Sequence, residues 1–360
     1  MEPASPRALR RNECRYPALL SGMRGVVVIT GASAGAGRAT AREFARRGYS
    51  IGLIARGLGR LHATRDEVES LGSRAVVLPA DVADEREVES AADRAERELG
   101  PIDVWVNSAM ATIFAPVASI TPEEFVRATQ VTYLGAVWGT MAALRRMRTR
   151  NRGVIVQVGS ALAYCSIPLQ APYCGAKHAL RGFTDSVRTE LLHEGSRIHV
   201  TMVQLPALNT PQFEWCRSRM PRRAQPVPPV FQPEVAAKAI VWAAEHRRRE
   251  LYVGWPAVKA ILGTKLAPSY ADRLLAKAGF EGQQTSEPDS GRRPDNLFEP
   301  VPGEYSAHGR FDSARPFSFQ LWMNTHLGWI VAGAAAVTTS LLGLILKWRR
   351  KARPLTHEAH

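Results

Sequence analysis

The chain has 360 residues, a formal net charge of +14 and a sequence pI of about 10.1. Its four cysteines show neither metal-ligand spacing nor a paired framework, which excludes a zinc module or a disulfide scaffold and favours a reducing compartment. The arginines are spread along the chain and match no nucleic-acid recognition motif. The excess charge therefore favours solvated faces and attraction to anionic lipid over nucleic-acid binding.

Residues 1–23 form a basic N-terminal extension that we expect to be disordered. They include several arginines but no apolar run long enough for a signal peptide. The first predicted strand begins directly afterwards, so a start at Met23 would leave the following domain whole.

A β-branched run from Val26 to Thr30 leads into a glycine-rich stretch and then into a helical pattern from Arg38 to Arg47. A strand, a glycine turn and a helix let backbone amides approach a pyrophosphate, and the helix amino terminus favours the negative charge. The sequence therefore predicts a dinucleotide phosphate site here. The residues expected to contact that ligand are Thr30, Gly31, Ser33, Gly35, Ala36 and Gly37.

Further apolar segments alternate with stretches of helical periodicity, at about 50–55, 75–79, 103–107, 153–159, 198–204 and 250–253. This alternation predicts parallel strands joined by right-handed crossovers. We predict the α/β class, with a single Rossmann-type doubly wound parallel sheet of about seven strands and helices on both faces. Residues 24–255 are enough for one buried core, and the site is expected above the carboxyl ends of the strands.

Three side chains on neighbouring elements form a candidate catalytic group. Ser160 closes the β-branched run that starts at Gly153, so it is expected at the carboxyl end of a strand. Tyr173 and Lys177 lie four residues apart on a predicted helix and share one face. A lysine ammonium beside the phenol favours the phenolate and typically lowers its pKa by about 1 to 3 units. The spacing therefore indicates proton transfer by Tyr173.

Taken in order, these motifs resemble the short-chain dehydrogenase/reductase family over residues 24–255, in a bacterial-type form with a C-terminal extension similar to a membrane anchor. Thr30, Gly31, Gly35 and Gly37 are similar to the family's TGxxxGxG turn. The resemblance implies that Tyr173 exchanges a proton with a carbonyl or alcohol oxygen while hydride passes to or from a nicotinamide. Lys177 would stabilise the phenolate and contact the coenzyme ribose, and Ser160 would polarise the substrate oxygen.

The same resemblance implies further coenzyme contacts. Asp81, followed by Val82, is similar to the family's adenine contact, and Asn107 to the first residue of its NNAG segment. The segment from Pro206 to Thr210 is similar to the one that borders the nicotinamide. The implied coenzyme-binding residues in this part of the chain are Asp81, Val82, Asn107, Tyr173, Lys177, Pro206 and Thr210.

Two positions depart from the family pattern. Met110 replaces the glycine of the NNAG segment, and Thr132 stands where many members carry a helix-bending asparagine that holds a water for proton relay. A threonine hydroxyl and a freed carbonyl can still support such a water. We therefore count Thr132 with the catalytic residues and expect a modified relay.

Arg56, at the end of the second predicted strand, indicates which coenzyme is used. A carboxylate there would accept the adenosine ribose hydroxyl, whereas an arginine offers a planar donor fork to a 2′-phosphate. NADP(H) is therefore predicted over NAD(H), and Arg60 could contribute to the same phosphate. The alternative is that Arg56 is a solvated loop residue.

Residues 211–233 resemble the variable lid that closes over the substrate in many family members. The aromatic residues among them suggest an apolar substrate, or they pack the lid onto the domain. The lid arginines would serve either an anionic group or solubility. The arginines concerned are Arg217, Arg219, Arg222 and Arg223.

Beyond residue 255 the composition changes, and we assign 256–326 to a C-terminal extension and linker. The stretch from Gln283 to Arg315 lacks periodicity and is typical of a linker or an extended wrapping segment. Residues 327–346 contain no charge and have the length of a transmembrane helix, followed by a basic tail at 347–360. The alternative for 327–346 is a buried helix used for oligomerisation.

These features predict a membrane-associated protein with a cytoplasmic catalytic domain, although the basic tail by itself favours the opposite orientation. The expected partners are a small carbonyl or alcohol substrate, possibly lipid-like in character, and membrane lipid bound by the C-terminal helix. Nucleic acid is not expected. The family resemblance implies a homo-oligomer, either a dimer or a tetramer. A membrane-tethered NADP-binding sensor or scaffold without turnover stays as the alternative function.

Overall fold

A parallel β-sheet forms the centre of the computed structural model, which describes residues 24–291, 293–328 and 338–339. Its strand order is β10-β7-β6-β4-β1-β2-β3, and every pairing in it is parallel. The strands, including the short ones outside this sheet, are β1 Val26–Thr30, β2 Ser50–Ala55, β3 Ala75–Pro79, β4 Ile102–Asn107, β5 Ile113–Phe114, β6 Val154–Ser160, β7 His199–Leu205, β8 Arg217–Ser218, β9 Arg222–Ala224, β10 Glu250–Tyr252 and β11 Gln284–Pro288.

The predicted seven-stranded doubly wound sheet is confirmed, and the predicted strand limits agree with the observed ones to within about a residue. All five residues of β1 are buried, as expected for a strand covered on both faces. The chain passes from β1 outward through β2 and β3, then returns to β4 on the other side of β1. This reversal places a crevice at the carboxyl ends of β1 and β4, where open α/β sheets bind ligands.

Helices cover the two faces of the sheet. Helix α1 packs against α2 and α8 on one face, and α3, α5 and α6 pack together on the other. The helices are α1 Gly35–Arg46, α2 Leu58–Ser70, α3 Glu85–Leu99, α4 Pro122–Thr129, α5 Gly135–Arg150, α6 Ala171–His193, α7 Gln212–Trp215, α8 Pro233–Glu245, α9 Trp255–Leu266 and α10 Pro268–Leu274.

Local sequence explains where the helices near the site begin. Pro172 lies in the first turn of α6, where a missing N–H costs nothing. Helix α4 begins with a capping box, in which Thr121 and Glu124 bond each other's backbone N–H groups. A π-helical turn at Gln130–Leu134, which includes Thr132, separates α4 from α5.

The described residues up to Phe317 form one compact unit, and those from Ser318 onward belong to a second. In the first unit, α9, α10 and a π-helical turn at Leu275–Gly279 follow β10, and β11 then pairs antiparallel with β9. Described residues on both sides of the predicted boundary at residue 255 belong to this unit. The stretch from Gln283 to Arg315 lies along the domain, as a wrapping segment does.

The basic extension at 1–23, most of the predicted transmembrane helix at 327–346 and the tail at 347–360 lie outside the described residues. No helix within the described ranges combines the length and the apolar character needed to span a bilayer.

Candidate active site

A cavity of about 570 Å³ opens at the carboxyl ends of the strands, where the topology reverses. The turn after β1, the ends of β2, β3 and β6, and the first turns of α6 all contribute to its wall. Most of the predicted site residues line it, namely Gly31, Ser33, Gly35, Ala36, Gly37, Arg56, Asp81, Val82, Ser160, Tyr173, Lys177, Pro206 and Thr210.

The glycine turn after β1 is a cradle that side chains would fill. A Cβ on Gly37 would lie 2.2 Å from the carbonyl oxygen of Gly31, and one on Gly31 would lie 2.8 Å from the Cα of Ala109. Gly31 and Gly35 also have positive φ angles, of 70° and 56°, which favour glycine. The turn therefore fits the close approach of a phosphate to backbone N–H groups.

Thr30 is buried and lies behind this turn, outside the cavity wall. Its hydroxyl oxygen accepts hydrogen bonds from the backbone N–H groups of Ser108 at 3.0 Å and Ala109 at 3.1 Å. Thr30 thus fixes the loop after β4 against the glycine turn. Its role in the structure is to position the wall of the site.

Ser160, Tyr173 and Lys177 lie together in the wall of the same cavity. Tyr173 and Lys177 are one turn apart on α6, and the Nζ atom of Lys177 lies 5.5 Å from the centroid of the tyrosine ring. Lys177 is 3% exposed and donates a hydrogen bond to the carbonyl oxygen of Val158 at 2.7 Å. The Ser160 hydroxyl, at the end of β6, accepts from the N–H of Leu162 at 3.1 Å.

Burial controls the protonation of this group. It raises the pKa of the Tyr173 phenol above its ordinary value of 10, and a hydrogen bond with Ser160 offsets part of the rise. Burial also lowers the pKa of Lys177 to about 8. The shift of the tyrosine pKa is opposite to the one that the Tyr–Lys spacing predicts, because removal from water penalises the phenolate. At neutral pH the pair therefore holds a neutral phenol beside a mostly cationic lysine.

Arg56 and Arg60 stand at the far end of the cavity, at the end of β2 and in the first turn of α2. Asp81, the predicted adenine contact, forms a salt bridge with Arg127 and accepts the N–H of Ala83 at 3.0 Å. The salt bridge to Arg127 has no signal in the sequence, because the two residues are 46 positions apart.

Besides Thr30, two predicted site residues lie outside the cavity wall. Asn107 is 4% exposed and sits in a buried polar network, where its amide accepts from the Trp105 indole at 2.8 Å and donates to Gln157 at 3.1 Å. Thr132 is 1% exposed, and its hydroxyl both accepts from the N–H of Ala111 and donates to its carbonyl, each at 2.9 Å. The structure thus places both side chains behind the site.

The predicted lid at 211–233 is tied to the domain by ion pairs. Arg217 and Arg219 both bind the carboxylate of Glu124, at 2.7 Å and 2.6 Å, and Arg217 also binds Asp295 at 2.8 Å. The positive charges of Arg217 and Arg219 are thus paired with carboxylates of the same chain. Four aromatic or apolar lid residues are buried, which favours the alternative that they pack the lid onto the domain; they are Phe213, Trp215, Met220 and Phe231. Phe213 and Trp215 also line the cavity.

One part of the cavity wall is apolar and includes residues of the predicted extension 256–326. This part includes Ile167, Val227, Pro256, Ala260, Leu275 and Ala278. Helix α9 and the turn after α10 thus belong to the site. Gln283 joins them to it, because its buried amide accepts from Gln170 at 2.7 Å and donates to the carbonyl of Gly279 at 2.7 Å.

The segment 295–309, here called the C-terminal strap, borders the same cavity beside Arg56 and Arg60. Asn296 and Pro300 contribute to the wall, and carbonyl groups of the strap accept hydrogen bonds from Arg56 and Arg60. Sequence reasoning assigned this segment no place in the site. Its contacts use backbone carbonyls, which leave no pattern in the side chains.

The chain is similar in sequence to a known protein family and to several of its members. Residues 25–220 match the family model described as short chain dehydrogenase. The chain is 33% identical to an uncharacterized oxidoreductase of Bacillus subtilis, over 76% of this chain and 78% of the relative. It is 32% identical to the 3-dehydrosphinganine reductase of Danio rerio, over 60% and 67%, and 28% identical to the 17-beta-hydroxysteroid dehydrogenase 13 of Mus musculus, over 79% and 86%.

Among solved structures, the chain is similar to a metagenomic short-chain oxidoreductase crystallised in complex with NADP. The TM-score is 0.54 at 25% sequence identity, with 65% of this chain and 97% of the other covered. The shared part is therefore almost the whole of the smaller protein.

Proposed function

Because the chain belongs to the short-chain dehydrogenase family, we propose that it is an NADP(H)-dependent oxidoreductase that interconverts a carbonyl group and an alcohol on an apolar, lipid-like molecule. The observation that carries the proposal is a single cavity whose wall includes both a phosphate-cradling glycine turn and Ser160, Tyr173 and Lys177.

A neutral Tyr173 phenol can serve as the proton donor that carbonyl reduction needs. The neutral Tyr173 phenol can donate its proton to a carbonyl oxygen, while the Ser160 hydroxyl donates a hydrogen bond to the same oxygen. NADPH, when bound, supplies the hydride. The phenolate left on Tyr173 then lies near the Lys177 ammonium, which stabilises the new negative charge.

The choice of NADP(H) over NAD(H) is supported by the cationic corner of the cavity. Arg56 and Arg60 both line it, and a planar guanidinium matches the geometry of a phosphate. A solved relative was crystallised with NADP. The glycine turn provides the site for the pyrophosphate, and Asp81 and Val82 border the adenine side.

An apolar substrate is supported by the lining of the other half of the cavity, where Val227, Leu275 and Ala278 are among the wall residues. Two relatives are named for a sphingoid base and a hydroxysteroid, which are both lipids. The uncharged segment 327–346 would hold such an enzyme at the bilayer in which its substrate dissolves, with the catalytic domain on the cytoplasmic side.

The test is a panel of short and long aldehydes, ketones, sterols and sphingoid ketones, assayed with NADPH and with NADP⁺. Tyr173→Phe is expected to lower turnover by about 10²- to 10⁴-fold, because the proton donor is lost, while NADPH binding measured by nicotinamide fluorescence stays the same. The exposed Tyr270→Phe is the matched control and should behave as wild type.

Substrate length provides a second readout of the same experiment. Each added methylene that enters the apolar half of the cavity is expected to raise kcat/KM by about fourfold, as about 0.8 kcal/mol of transfer free energy corresponds to that factor. Full turnover by Tyr173→Phe, or no reaction with any carbonyl despite NADPH binding, would contradict the proposal and favour a sensor or scaffold.

A further inference from the structure

The C-terminal strap holds the two arginines at the coenzyme end of the cavity. Arg56 donates from its two terminal nitrogens to the carbonyl oxygens of Phe298 and Asn296, and Arg60 donates to that of Val301. We propose that the strap is a positioning segment that makes the site selective for NADP(H), by holding both guanidinium groups where a 2′-phosphate binds. This inference rests on the proposed function.

The strap orients the two guanidinium groups through backbone carbonyls, but no carboxylate of the described strap pairs with either of them. Within the described ranges, neither guanidinium forms an ion pair with a carboxylate. Asp81, whose charge acts on Arg56, is already paired with Arg127. Glu299 and Glu304, on the strap itself, act on Arg56 and Arg60 through space only.

Burial makes this arrangement costly unless an anion completes it. It lowers the pKa of both Arg56 and Arg60, which means that the charged forms are penalised. The Nε atom of Arg60 is also buried without a hydrogen-bond partner in the described structure. Backbone carbonyls provide dipoles that fix the direction of the N–H groups. A phosphate dianion would supply the compensating charge.

The strap is itself fixed by contacts on both sides of the site. Leu297 is completely buried in the main hydrophobic core, and Asp295 binds Arg217 of the lid at 2.8 Å. Further along, the carbonyl of Tyr305 accepts from Arg38 at 2.7 Å. The carbonyl of Ser306 accepts from the N–H of Gly35, in the glycine turn, at 3.2 Å. The strap therefore links the lid, the arginines and the phosphate cradle.

The strap borders the cavity and does not fill it. Only the edge of the strap, at Asn296 and Pro300, contributes to the wall of the cavity of about 570 Å³. Arg56 and Arg60 each donate from some of their five N–H groups to the strap and retain others. The strap also lies beyond residue 220, where the match to the family model ends.

Coenzyme affinities of the full-length protein distinguish a strap that positions the arginines from a strap that competes with the coenzyme for them. The dissociation constants of NADPH and NADH are measured by nicotinamide fluorescence for wild type, Leu297→Ala and Asp295→Asn. Both variants loosen the strap without altering a cavity-lining side chain. We expect the NADPH constant to rise by about tenfold or more and the NADH constant to change by less than about threefold, because NADH lacks the 2′-phosphate.

Two further variants make the result specific. Leu191→Ala removes a buried leucine on α6, away from the coenzyme end, and should lower stability while leaving both dissociation constants unchanged. Arg56→Ala should show the same selective loss of NADPH affinity. The double variant Arg56→Ala/Leu297→Ala should lose much less than the product of the two single effects, because the strap acts through the arginine.

Equal weakening of NADPH and NADH by the strap variants would overturn the inference and assign the strap a purely structural role. Tighter binding would also overturn it, since it would mean that the strap competes with the coenzyme. Failure of the wild type to bind either coenzyme would instead refute the proposed function.

Discussion

Replacing Glu124 with glutamine should detach the lid from the domain, because this carboxylate holds two lid arginines at once. Glu124 is 4% exposed and lies on α4. Arg219 donates to both of its carboxylate oxygens, at 2.6 Å and 2.8 Å, and Arg217 donates to one at 2.7 Å. Glutamine keeps the shape and the capping-box acceptor of the helix, but it loses the charge.

The pKa of Glu124 sets the size of the effect. The hydrogen bond from Arg219 is the main cause that lowers it, from 4.5 to about 2. The difference of about 2.5 units corresponds to about 3 kcal/mol of stability at neutral pH. Because the folded-state pKa is depressed, this contribution is complete above about pH 5 and is lost as the pH falls toward 2. The two arginines are partly exposed and regain some hydration in the variant, so about 3 kcal/mol is an upper limit.

The assay is denaturant unfolding of the full-length protein in detergent, followed by tryptophan fluorescence. We expect Glu124→Gln to be less stable than wild type by up to about 3 kcal/mol at pH 7 and by up to about 2 kcal/mol at pH 3.5. Glu123→Gln changes the exposed neighbouring glutamate, whose pKa is lowered by hydrogen bonds and not by an arginine, and should be destabilised less than Glu124→Gln at pH 7. A Glu124→Gln variant as stable as wild type at pH 7, or a deficit that does not shrink in acid, would refute the reasoning.

Substitutions of Gly37 and Thr132, each paired with a control substitution, test the glycine turn and the π-helical turn. Gly37→Ala places a Cβ 2.2 Å from the Gly31 carbonyl oxygen and should weaken NADPH binding in a fluorescence titration. Gly175→Ala, where nothing lies within 4 Å, should leave binding unchanged and raise stability by about 0.5 to 1 kcal/mol. Thr132→Val leaves the buried N–H and carbonyl of Ala111 unpaired and should lower stability by about 1 to 3 kcal/mol. Thr132→Ser keeps the hydroxyl and should keep both stability and turnover, and a loss of turnover in Thr132→Val while the protein is still folded would show a relay role.

The fold was predictable from the sequence because buried parallel strands leave a strong local signal. Val26 to Thr30 and Val154 to Ser160 are apolar and β-branched almost throughout, since both faces of the sheet are covered. The glycine turn and the Tyr173–Lys177 spacing are local as well. Each depends on residues a few positions apart, so their geometry follows once the strand and the helix form.

Other features depend on partners that are distant in sequence. Asn107 resembles a coenzyme contact, but its partners Thr140 and Gln157 are 33 and 50 residues away and hold its amide in the core. In the sequence, Arg217 and Arg219 have no acidic partner nearby. The fold brings Glu124, which is 93 and 95 residues away, into contact with both of them. The pKa of Tyr173 also follows from burial, which no spacing of residues reveals.

The sequence alone therefore determined the parallel sheet, the glycine turn after β1 and the Tyr173–Lys177 spacing, because hydrophobic periodicity and local spacing encode them. Only the tertiary structure decided what surrounds Arg56 and Arg60. The strap reaches them across about 240 residues, and it does so with backbone carbonyls that every residue type possesses. Hydrogen bonds of that kind depend on the path of the chain, and the path of an aperiodic segment is set by what it packs against.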